Sequence, residues 1–175
     1  MSRLLVVVDM QKDFVDGSLG SKEAVSIVPA VVKKARDFDG TVLFTRDTHG
    51  EDYMETQEGK YLPVAHCIRG TEGWELIPEL EEMKDSRKAQ CFDKPAFGSV
   101  ALAEALRAMY EAGELGSVEL VGLCTDICVV SNALLIKAFM PELPVSVDAS
   151  CCAGVTPEKH AAALETMRSC QIQIL

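Results

Sequence analysis

The sequence predicts an α/β fold in which helices cover both faces of a six-stranded, mostly parallel sheet, a three-layer α/β/α architecture. Short apolar runs alternate with segments of helical periodicity along the whole chain, which is the pattern of repeated strand–helix units. The length of 175 residues is that of one ordinary domain, and no linker, repeat or low-complexity tract divides it. We therefore expect a single domain over residues 1–175.

The predicted strands are short runs that are either apolar throughout or alternate between polar and apolar residues. The first is continuous, apolar and rich in valine, which is typical of a parallel strand covered on both faces. The last alternates, which suits a strand at the edge of a sheet. The six runs cover residues 4–8, 41–45, 88–92, 118–122, 144–147 and 171–175.

Four helices are predicted from apolar spacing and from the residues at their ends. The first ends at the Asp39-Gly40 break, Ser99 caps the second and Gly113 stops it, and Pro157 opens the last at its first turn. These helices cover residues 26–38, 99–112, 127–139 and 157–170. The apolar residues between 133 and 140 fit either the protein core or a subunit interface, and we expect a homo-oligomer.

Composition and charge exclude several classes of function. With 17 basic and 27 acidic residues the formal net charge is −10, which argues against nucleic-acid and anionic-membrane partners. No apolar run approaches the roughly 18–20 residues of a membrane span, and the five-residue run before Asp9 is too short for a signal peptide. Seven cysteines without CxxC spacing indicate free thiols, so we expect a cytoplasmic protein.

Ionisable side chains follow four of the predicted strands. Asp9 follows the first, Asp47 and His49 the second, Lys94 the third, and Cys128 comes shortly after the fourth. Because the carboxyl ends of parallel strands meet at the same edge of a sheet, we expect these side chains to lie close together. This convergence predicts a site of chemistry at that edge.

Cys128 is the candidate nucleophile, because it lies where a predicted strand ends and a helix begins. If Thr125 or Asp126 caps that helix, its free N–H groups favour the thiolate and are able to bind an oxyanion. The alternative is a buried cysteine that only fills space between helix and sheet, which suits Cys124 better. The remaining cysteines are expected to be packing residues: Cys67, Cys91, Cys151, Cys152 and Cys170.

A carboxylate and an ammonium group complete this hypothesis. Asp9 ends a buried strand, where desolvation raises the pKa of its carboxyl group and suits it to proton exchange. Lys94, in the rigid apolar setting of KPAFG, is able to keep Asp9 ionised and to offset negative charge in the transition state. The alternative for Lys94 is an ordinary solvated lysine.

A candidate metal site lies in residues 46–84, a long stretch with little regular periodicity. Asp47 and His49 are two residues apart, so an extended segment directs both at one ion, and His66 follows in the same stretch. Two imidazoles and a carboxylate suit zinc, iron or manganese. Glu51, Asp52, Glu55 and Glu58 are candidates for a fourth ligand. His160, on the last predicted helix, is expected to be a surface or capping histidine.

The chain resembles the cysteine-hydrolase branch of the isochorismatase-like superfamily, and within it the nicotinamidases. The resemblance covers essentially the whole chain and rests on five motifs in the family's order: VVVDMQKDFVDGSL, TRDTHG, EGKYLPVAHCIRGTEGWEL, KPAFGS and VGLCTDICV. It implies an acid/base role for Asp9, a cationic role for Lys94 and a nucleophilic role for Cys128.

The resemblance also implies roles for residues around these three. It makes Phe14 part of the substrate pocket and adds Glu58 to Asp47, His49 and His66 as metal ligands. It implies a cis peptide at Leu123–Cys124, with the N–H groups of Cys124 and Cys128 directed at the oxyanion.

The function that follows is a metal-assisted cysteine amidohydrolase, a nicotinamidase that converts nicotinamide to nicotinate and ammonia through a thioester, with zinc as the expected metal. One alternative is a carbamoyl or ureido amide hydrolase of the same superfamily, which often lacks the metal loop. A non-catalytic binding homologue is another. Enzymes that cleave the vinyl ether of isochorismate do so without a cysteine nucleophile, so Cys128 argues against that activity.

Overall fold

The sheet of this protein has six strands, all parallel, in the order β3-β2-β1-β4-β5-β6. The computed structural model describes residues 1–175. The predicted α/β class is confirmed, and the sheet is entirely rather than mostly parallel. The strands are β1 Ser2–Val8, β2 Thr41–Asp47, β3 Cys91–Lys94, β4 Leu115–Leu123, β5 Val145–Ala153 and β6 Gln173–Ile174.

The helices are more numerous than the sequence predicts. They are α1 Lys12–Val15, α2 Lys22–Asp37, α3 Gln57–Tyr61, α4 Pro78–Arg87, α5 Val100–Glu111, α6 Val130–Phe139 and α7 Pro157–Ser169. The helix predicted from residue 26 begins at Lys22, because the Ser21 hydroxyl accepts the Ala24 N–H at 3.0 Å and caps it.

Two predicted boundaries were wrong for local reasons. Residues 46–84 are not irregular throughout: they contain α3 and most of α4, whose few apolar residues give little periodicity. The third strand begins at Cys91 rather than at residue 88, because Lys88 ends α4 in the left-handed conformation with φ 52°. Lys94 is therefore the last residue of β3.

Two apolar clusters form the core, one on each face of the sheet. Leu4 and Val6 of β1 face the cluster that includes residues of α5, α6 and α7, and Leu5 and Val7 face the cluster that includes residues of α2 and α4. This alternation explains why the whole run 4–8 is apolar. Within residues 133–140, Ala133, Ile136 and Met140 are buried in the core.

The strand order determines where a ligand crevice forms. The chain proceeds outward from β1 to β2 and β3, then returns to the other side of β1 with β4. The carboxyl ends of β1 and β4 therefore diverge into connections on opposite faces, which is the usual crevice of an open parallel sheet. No helix in the structure has the combined length and apolar character needed to cross a membrane.

Candidate active site

Three side chains predicted to meet at the sheet edge are in contact. The Nζ atom of Lys94 lies 2.7 Å from Oδ2 of Asp9 and 3.3 Å from Sγ of Cys128. All three side chains are buried, Asp9 and Lys94 completely. The site thus combines a carboxylate, an ammonium group and a thiol out of bulk water.

Neighbouring strands hold Asp9 in one orientation. The residue follows β1 with φ 46°, a left-handed conformation that is uncommon for a non-glycine residue. The Thr45 hydroxyl donates to Asp9 Oδ1 at 2.6 Å, which leaves Oδ2 directed at Lys94. Sequence analysis missed Thr45; the signal available was a hydroxyl within the apolar strand VLFT, where burial demands a partner.

Cys128 lies in a π-helical turn, Thr125–Val129, which precedes α6. The expected side-chain cap at Thr125 or Asp126 was wrong: the N-cap position is Cys124, and no side chain caps it. Both side chains bind elsewhere, Thr125 Oγ1 to His160 Nδ1 at 2.8 Å and Asp126 Oδ1 to the Val155 N–H at 2.9 Å. They therefore attach the turn to α7 and to the segment before it.

His160 consequently differs from its predicted surface or capping role. It is half-buried, and its Nδ1 is hydrogen-bonded to Thr125 in the turn that carries Cys128. Burial lowers the pKa of its imidazole. The Leu123–Cys124 peptide at the start of the turn is cis, as the family resemblance implies.

Burial dominates the electrostatics of the three central groups. It raises the pKa of the Cys128 thiol well above its ordinary value, and the Asp9 carboxylate adds to this while Lys94 opposes it. Burial likewise raises the pKa of Asp9, although Lys94 lowers it. The pKa of Lys94 is raised despite burial, because Asp9, Cys128 and Asp47 surround its ammonium group. The resting thiol is therefore protonated next to a carboxylate that is able to accept its proton.

A second cluster, of four potential metal ligands, lies beside this group. One ligand atom from each of Asp47, His49, Glu58 and His66 lies within 4.8 Å of the others. His49 Nε2 is 2.9 Å from Asp47 Oδ2, and Glu58 Oε1 is 3.7 Å from Nε2 of both His49 and His66. Two imidazoles and two carboxylates at this spacing are a donor set that fits a divalent transition metal. Glu51, Asp52 and Glu55 are exposed and outside the cluster.

The cluster is held by hydrogen bonds to its ligands. His66 Nδ1 donates to the Val64 carbonyl at 2.8 Å, which directs Nε2 into the cluster. The buried Gln11 side chain makes two hydrogen bonds with the backbone of Asp47. Its Oε1 accepts the Asp47 N–H at 2.7 Å, and its Nε2 donates to the Asp47 carbonyl at 2.9 Å. The Tyr53 ring packs edge-on against both imidazoles, with centroids 4.8 Å from His49 and 5.0 Å from His66. Sequence analysis missed Gln11 and Tyr53.

Asp47 belongs to both clusters. Its Oδ1 lies 3.2 Å from Lys94 Nζ, while its Oδ2 faces His49 at 2.9 Å and His66 at 3.6 Å. Although burial opposes it, hydrogen bonds from the two imidazoles hold the pKa of Asp47 well below its ordinary range. Register places this residue directly beside Lys94, because Asp47 and Lys94 are paired neighbours on β2 and β3.

A cavity of about 500 Å³ opens onto both clusters, a size within the range of small-molecule sites. Asp47, Glu58 and His66 line it from one side, Cys124 and Cys128 from another. Phe14 also lines the cavity, and its ring centroid is 5.4 Å from that of His66. The remaining walls are mainly apolar and include Leu19, Ala24, Leu62, Phe97, Ile127 and Val155.

The other cysteines are outside this arrangement. Cys67, Cys91, Cys151, Cys152 and Cys170 do not line the cavity, and all seven cysteines are free thiols. Cys124 does line it, but burial raises the pKa of its thiol to about 12. Among the seven thiols, that of Cys128 is the one that contacts the ammonium group of Lys94.

Comparison with known proteins assigns the family. The model of the isochorismatase domain matches residues 3–175, which is almost the entire chain. The chain belongs to the isochorismatase domain family. The resemblance stated from the sequence motifs is therefore confirmed.

Similar proteins within the family have consistent names. The nicotinamidase/pyrazinamidase of Mycobacterium tuberculosis (strain ATCC 25618 / H37Rv) is 29% identical, over 99% of this chain and 98% of that protein. The solved pyrazinamidase/nicotinamidase of Streptococcus mutans UA159 is 28% identical with a TM-score of 0.86, covering 99% of this chain and 100% of the other. The pyrazinamidase of Pyrococcus horikoshii, solved in complex with zinc, is 29% identical with a TM-score of 0.80, covering 100% and 99%.

Proposed function

We propose that this chain is a nicotinamidase, which hydrolyses nicotinamide to nicotinate and ammonia through a thioester on Cys128. The observation that carries the proposal is the position of Lys94 Nζ, 2.7 Å from Asp9 Oδ2 and 3.3 Å from Cys128 Sγ, beside a cavity of about 500 Å³. A buried acid/base next to a buried thiol is the pairing that covalent amide hydrolysis requires. The names of the family members described above support the same substrate class.

In the first half of the reaction the Cys128 thiol passes its proton to Asp9, and Sγ bonds to the carboxamide carbon. The N–H groups of Cys124 and Cys128 hold the oxyanion that forms on the carbonyl oxygen. Asp9 then gives its proton to the amide nitrogen, the C–N bond breaks and ammonia leaves. Throughout, Lys94 balances the negative charge that moves between Asp9 and Sγ.

In the second half a water molecule attacks the thioester carbon and gives a proton to Asp9. The C–S bond breaks, the proton on Asp9 returns to Sγ, and the product leaves as nicotinic acid, which loses its carboxyl proton to water to give nicotinate. Asp9 is suited to both directions of transfer, because burial raises the pKa of its carboxyl group while Lys94 favours its ionised form.

Four residues would hold a divalent metal: Asp47, His49, Glu58 and His66. Zinc is the proposed ion, with iron or manganese as alternatives for the same donor set; the zinc complex of the Pyrococcus horikoshii protein supports zinc. When bound, the metal supplies a Lewis acid for the lone pair of the pyridine nitrogen. Phe14, which lines the cavity beside His66, packs against the ring of the substrate in this arrangement.

Ammonia release from nicotinamide, measured for the zinc-loaded wild type and for Cys128→Ala, tests the proposal. We expect release by the wild type and none by the variant; Ser99→Ala, outside the cavity, serves as a matched control for side-chain truncation. Equal activity of wild type and Cys128→Ala would reject the thioester. A wild type that hydrolyses a ureido amide but neither nicotinamide nor pyrazinamide would reject the substrate.

We further propose that the protein is a cytoplasmic homo-oligomer without nucleic-acid partners. The seven free thiols and the net charge of −10 support the compartment and the lack of nucleic-acid binding. Exposed apolar side chains such as Val25 and Val100 support subunit contact. Light scattering coupled to size exclusion, with a mass above one chain of 19.0 kDa expected, tests the assembly.

A further inference from the structure

Asn132 connects two segments of the candidate active site that are far apart in sequence. Its side chain is 1% exposed and lies one helical turn after Cys128. Its Nδ2 donates to the Cys128 carbonyl at 2.8 Å and to the Phe97 carbonyl at 3.2 Å, and its Oδ1 accepts the Ser99 N–H at 2.9 Å. One amide therefore binds the turn that carries the nucleophile and the segment that follows Lys94.

Both of these segments bear on the reacting groups. The Lys94 ammonium donates to the Ala96 carbonyl at 3.2 Å, so the segment after β3 also contacts this side chain. The next residue, Phe97, lines the cavity.

We propose that Asn132 is a positioning residue that sets the Sγ–Nζ distance between Cys128 and Lys94, 3.3 Å in this structure. Its part in catalysis rests on the proposed function, whereas its effect on the reactivity of Cys128 does not. Only a side chain with both donors and an acceptor satisfies two carbonyls and one N–H at once, which a hydroxyl or an apolar side chain does not do. A partly satisfied buried network would loosen both segments.

The variant Asn132→Asp replaces the NH2 donor of this amide and keeps its oxygen acceptor. It keeps the acceptor for the Ser99 N–H but places a second carboxylate oxygen against the carbonyls of Cys128 and Phe97. We expect kcat for nicotinamide to fall about 10- to 100-fold with KM within about threefold, because a shift of the order of 1 Å at reacting groups costs this much. We expect alkylation of Cys128 by iodoacetamide at pH 7 to slow by about tenfold, because the thiolate loses contact with Lys94.

Ser99→Ala is the matched control, because it keeps the backbone N–H that Asn132 accepts and removes only the hydroxyl that caps α5 at the Leu102 N–H. We expect it to lower thermal stability without changing kcat or the alkylation rate. Equal loss of kcat in Ser99→Ala and Asn132→Asp would show a general effect of destabilisation and overturn the proposal.

Asn132→Ala provides a second test without an added charge, in case Asn132→Asp fails to fold. We expect slower alkylation of Cys128 in this folded variant than in the wild type. Alkylation at the wild-type rate would overturn the role of Asn132. If the wild type shows no amidase activity while Asn132→Ala still slows alkylation, the proposed function fails and the positioning role remains.

Discussion

At the scale of single residues, the chemistry of Cys128 depends on two neighbours of opposite charge. Burial and the Asp9 carboxylate raise the pKa of its thiol, and Lys94 lowers it. The sequence predicts a thiolate from the start of a helix, whereas burial and the Asp9 carboxylate favour the protonated thiol in the structure. Under the proposed mechanism, activation of Cys128 therefore depends on proton transfer to Asp9 during the reaction.

Substitution of the two charged neighbours has opposite effects on thiol reactivity. Asp9→Asn removes a negative charge, so the pKa of Cys128 falls and we expect iodoacetamide to react roughly tenfold faster at pH 7. Lys94→Met removes the positive charge, so the pKa rises and we expect slower alkylation. Mass spectrometry of the Cys128 peptide over time measures both rates.

Neither variant retains amide hydrolysis under the proposed mechanism. Asp9→Asn is therefore expected to react faster with iodoacetamide and yet to lose amidase activity. Alkylation that slows in both variants would contradict the opposing charges inferred from the geometry. Cys170→Ser, at an exposed cysteine outside the cavity, is the control for background labelling.

At the scale of elements, a short segment carries Glu58, the fourth of the proposed metal ligands. Glu58 lies on α3, a helix of only 5 residues that has little intrinsic stability. The Thr56 hydroxyl caps this helix at the Gly59 N–H at 3.0 Å, and the Tyr53 hydroxyl donates to the Leu62 carbonyl at 2.8 Å just beyond its end. Side-chain hydrogen bonds at the two ends of α3, rather than helix propensity, therefore fix the position of Glu58.

Tyr53→Phe tests this dependence, because it keeps the ring that packs against both imidazoles and removes only the hydroxyl. We expect zinc affinity to fall about tenfold, the size of effect typical for groups that support metal ligands. Competition with a chromogenic chelator measures it. Tyr61→Phe is the matched control, since Tyr61 is 85% exposed and lies on α3, the helix that carries Glu58. Unchanged zinc affinity in both variants would show that the hydroxyl of Tyr53 has no such role.

The end of β4 requires a glycine. Gly122 has φ 116°, a Cβ there would lie 2.1 Å from the Val8 carbonyl oxygen, and the register of β4 with β5 shifts between Leu120 and Gly122. Close approach of β1 and β4 at this point brings Asp9 beside the turn that carries Cys128. The glycine thus contributes to the site without contacting a substrate.

Gly122→Ala combines a disfavoured φ with a backbone clash. Gly113→Ala, at φ 74° with nothing within 4 Å, has only the conformational cost of about 1–2 kcal/mol. We expect Gly122→Ala to lower the free energy of unfolding by at least about 2 kcal/mol more than Gly113→Ala. Urea denaturation measures both, and equal losses would mean that β1 and β4 separate without cost.

At the scale of the whole molecule, Asp47 connects the two clusters. This buried carboxylate contacts both imidazoles and the Lys94 ammonium, so it connects β2, β3 and residues 48–66 at one point. Buried carboxylates require partners, and a bound cation would satisfy Asp47 and Glu58 together. Metal binding is thus expected to stabilise the fold.

We expect zinc to raise the thermal midpoint of metal-free protein by about 5–10 °C at saturation, since ligand at 100 times Kd contributes about 2.7 kcal/mol. His66→Ala is expected to lose this shift, and magnesium at the same concentration is expected to have little effect on the wild type. Differential scanning calorimetry measures the midpoints. A wild type indifferent to zinc, or an equal shift in His66→Ala, would contradict a metal site at these residues.

Much of the fold follows from local pattern. The apolar run 4–8 and its counterparts in β2 and β4 determine a buried parallel sheet, because only strands covered on both faces need apolar residues at successive positions. The α4 helix and the full length of β5 were not predictable in this way. Charged residues dominate α4, and polar residues alternate with apolar ones from Val145 to Ser150 of β5, so neither element is a continuous apolar run.

The sequence by itself determined the fold class, the family and the residues that meet at the sheet edge, because these depend on residue type and on the carboxyl ends of parallel strands. Only the tertiary structure decided that Asp47 contacts both clusters and that Thr45 orients Asp9. The same is true of the hydrogen bond between Thr125 and His160 and of the two distant segments that Asn132 connects. These contacts depend on side-chain directions and register between segments up to 47 residues apart in sequence. Spacing along the chain does not contain that information.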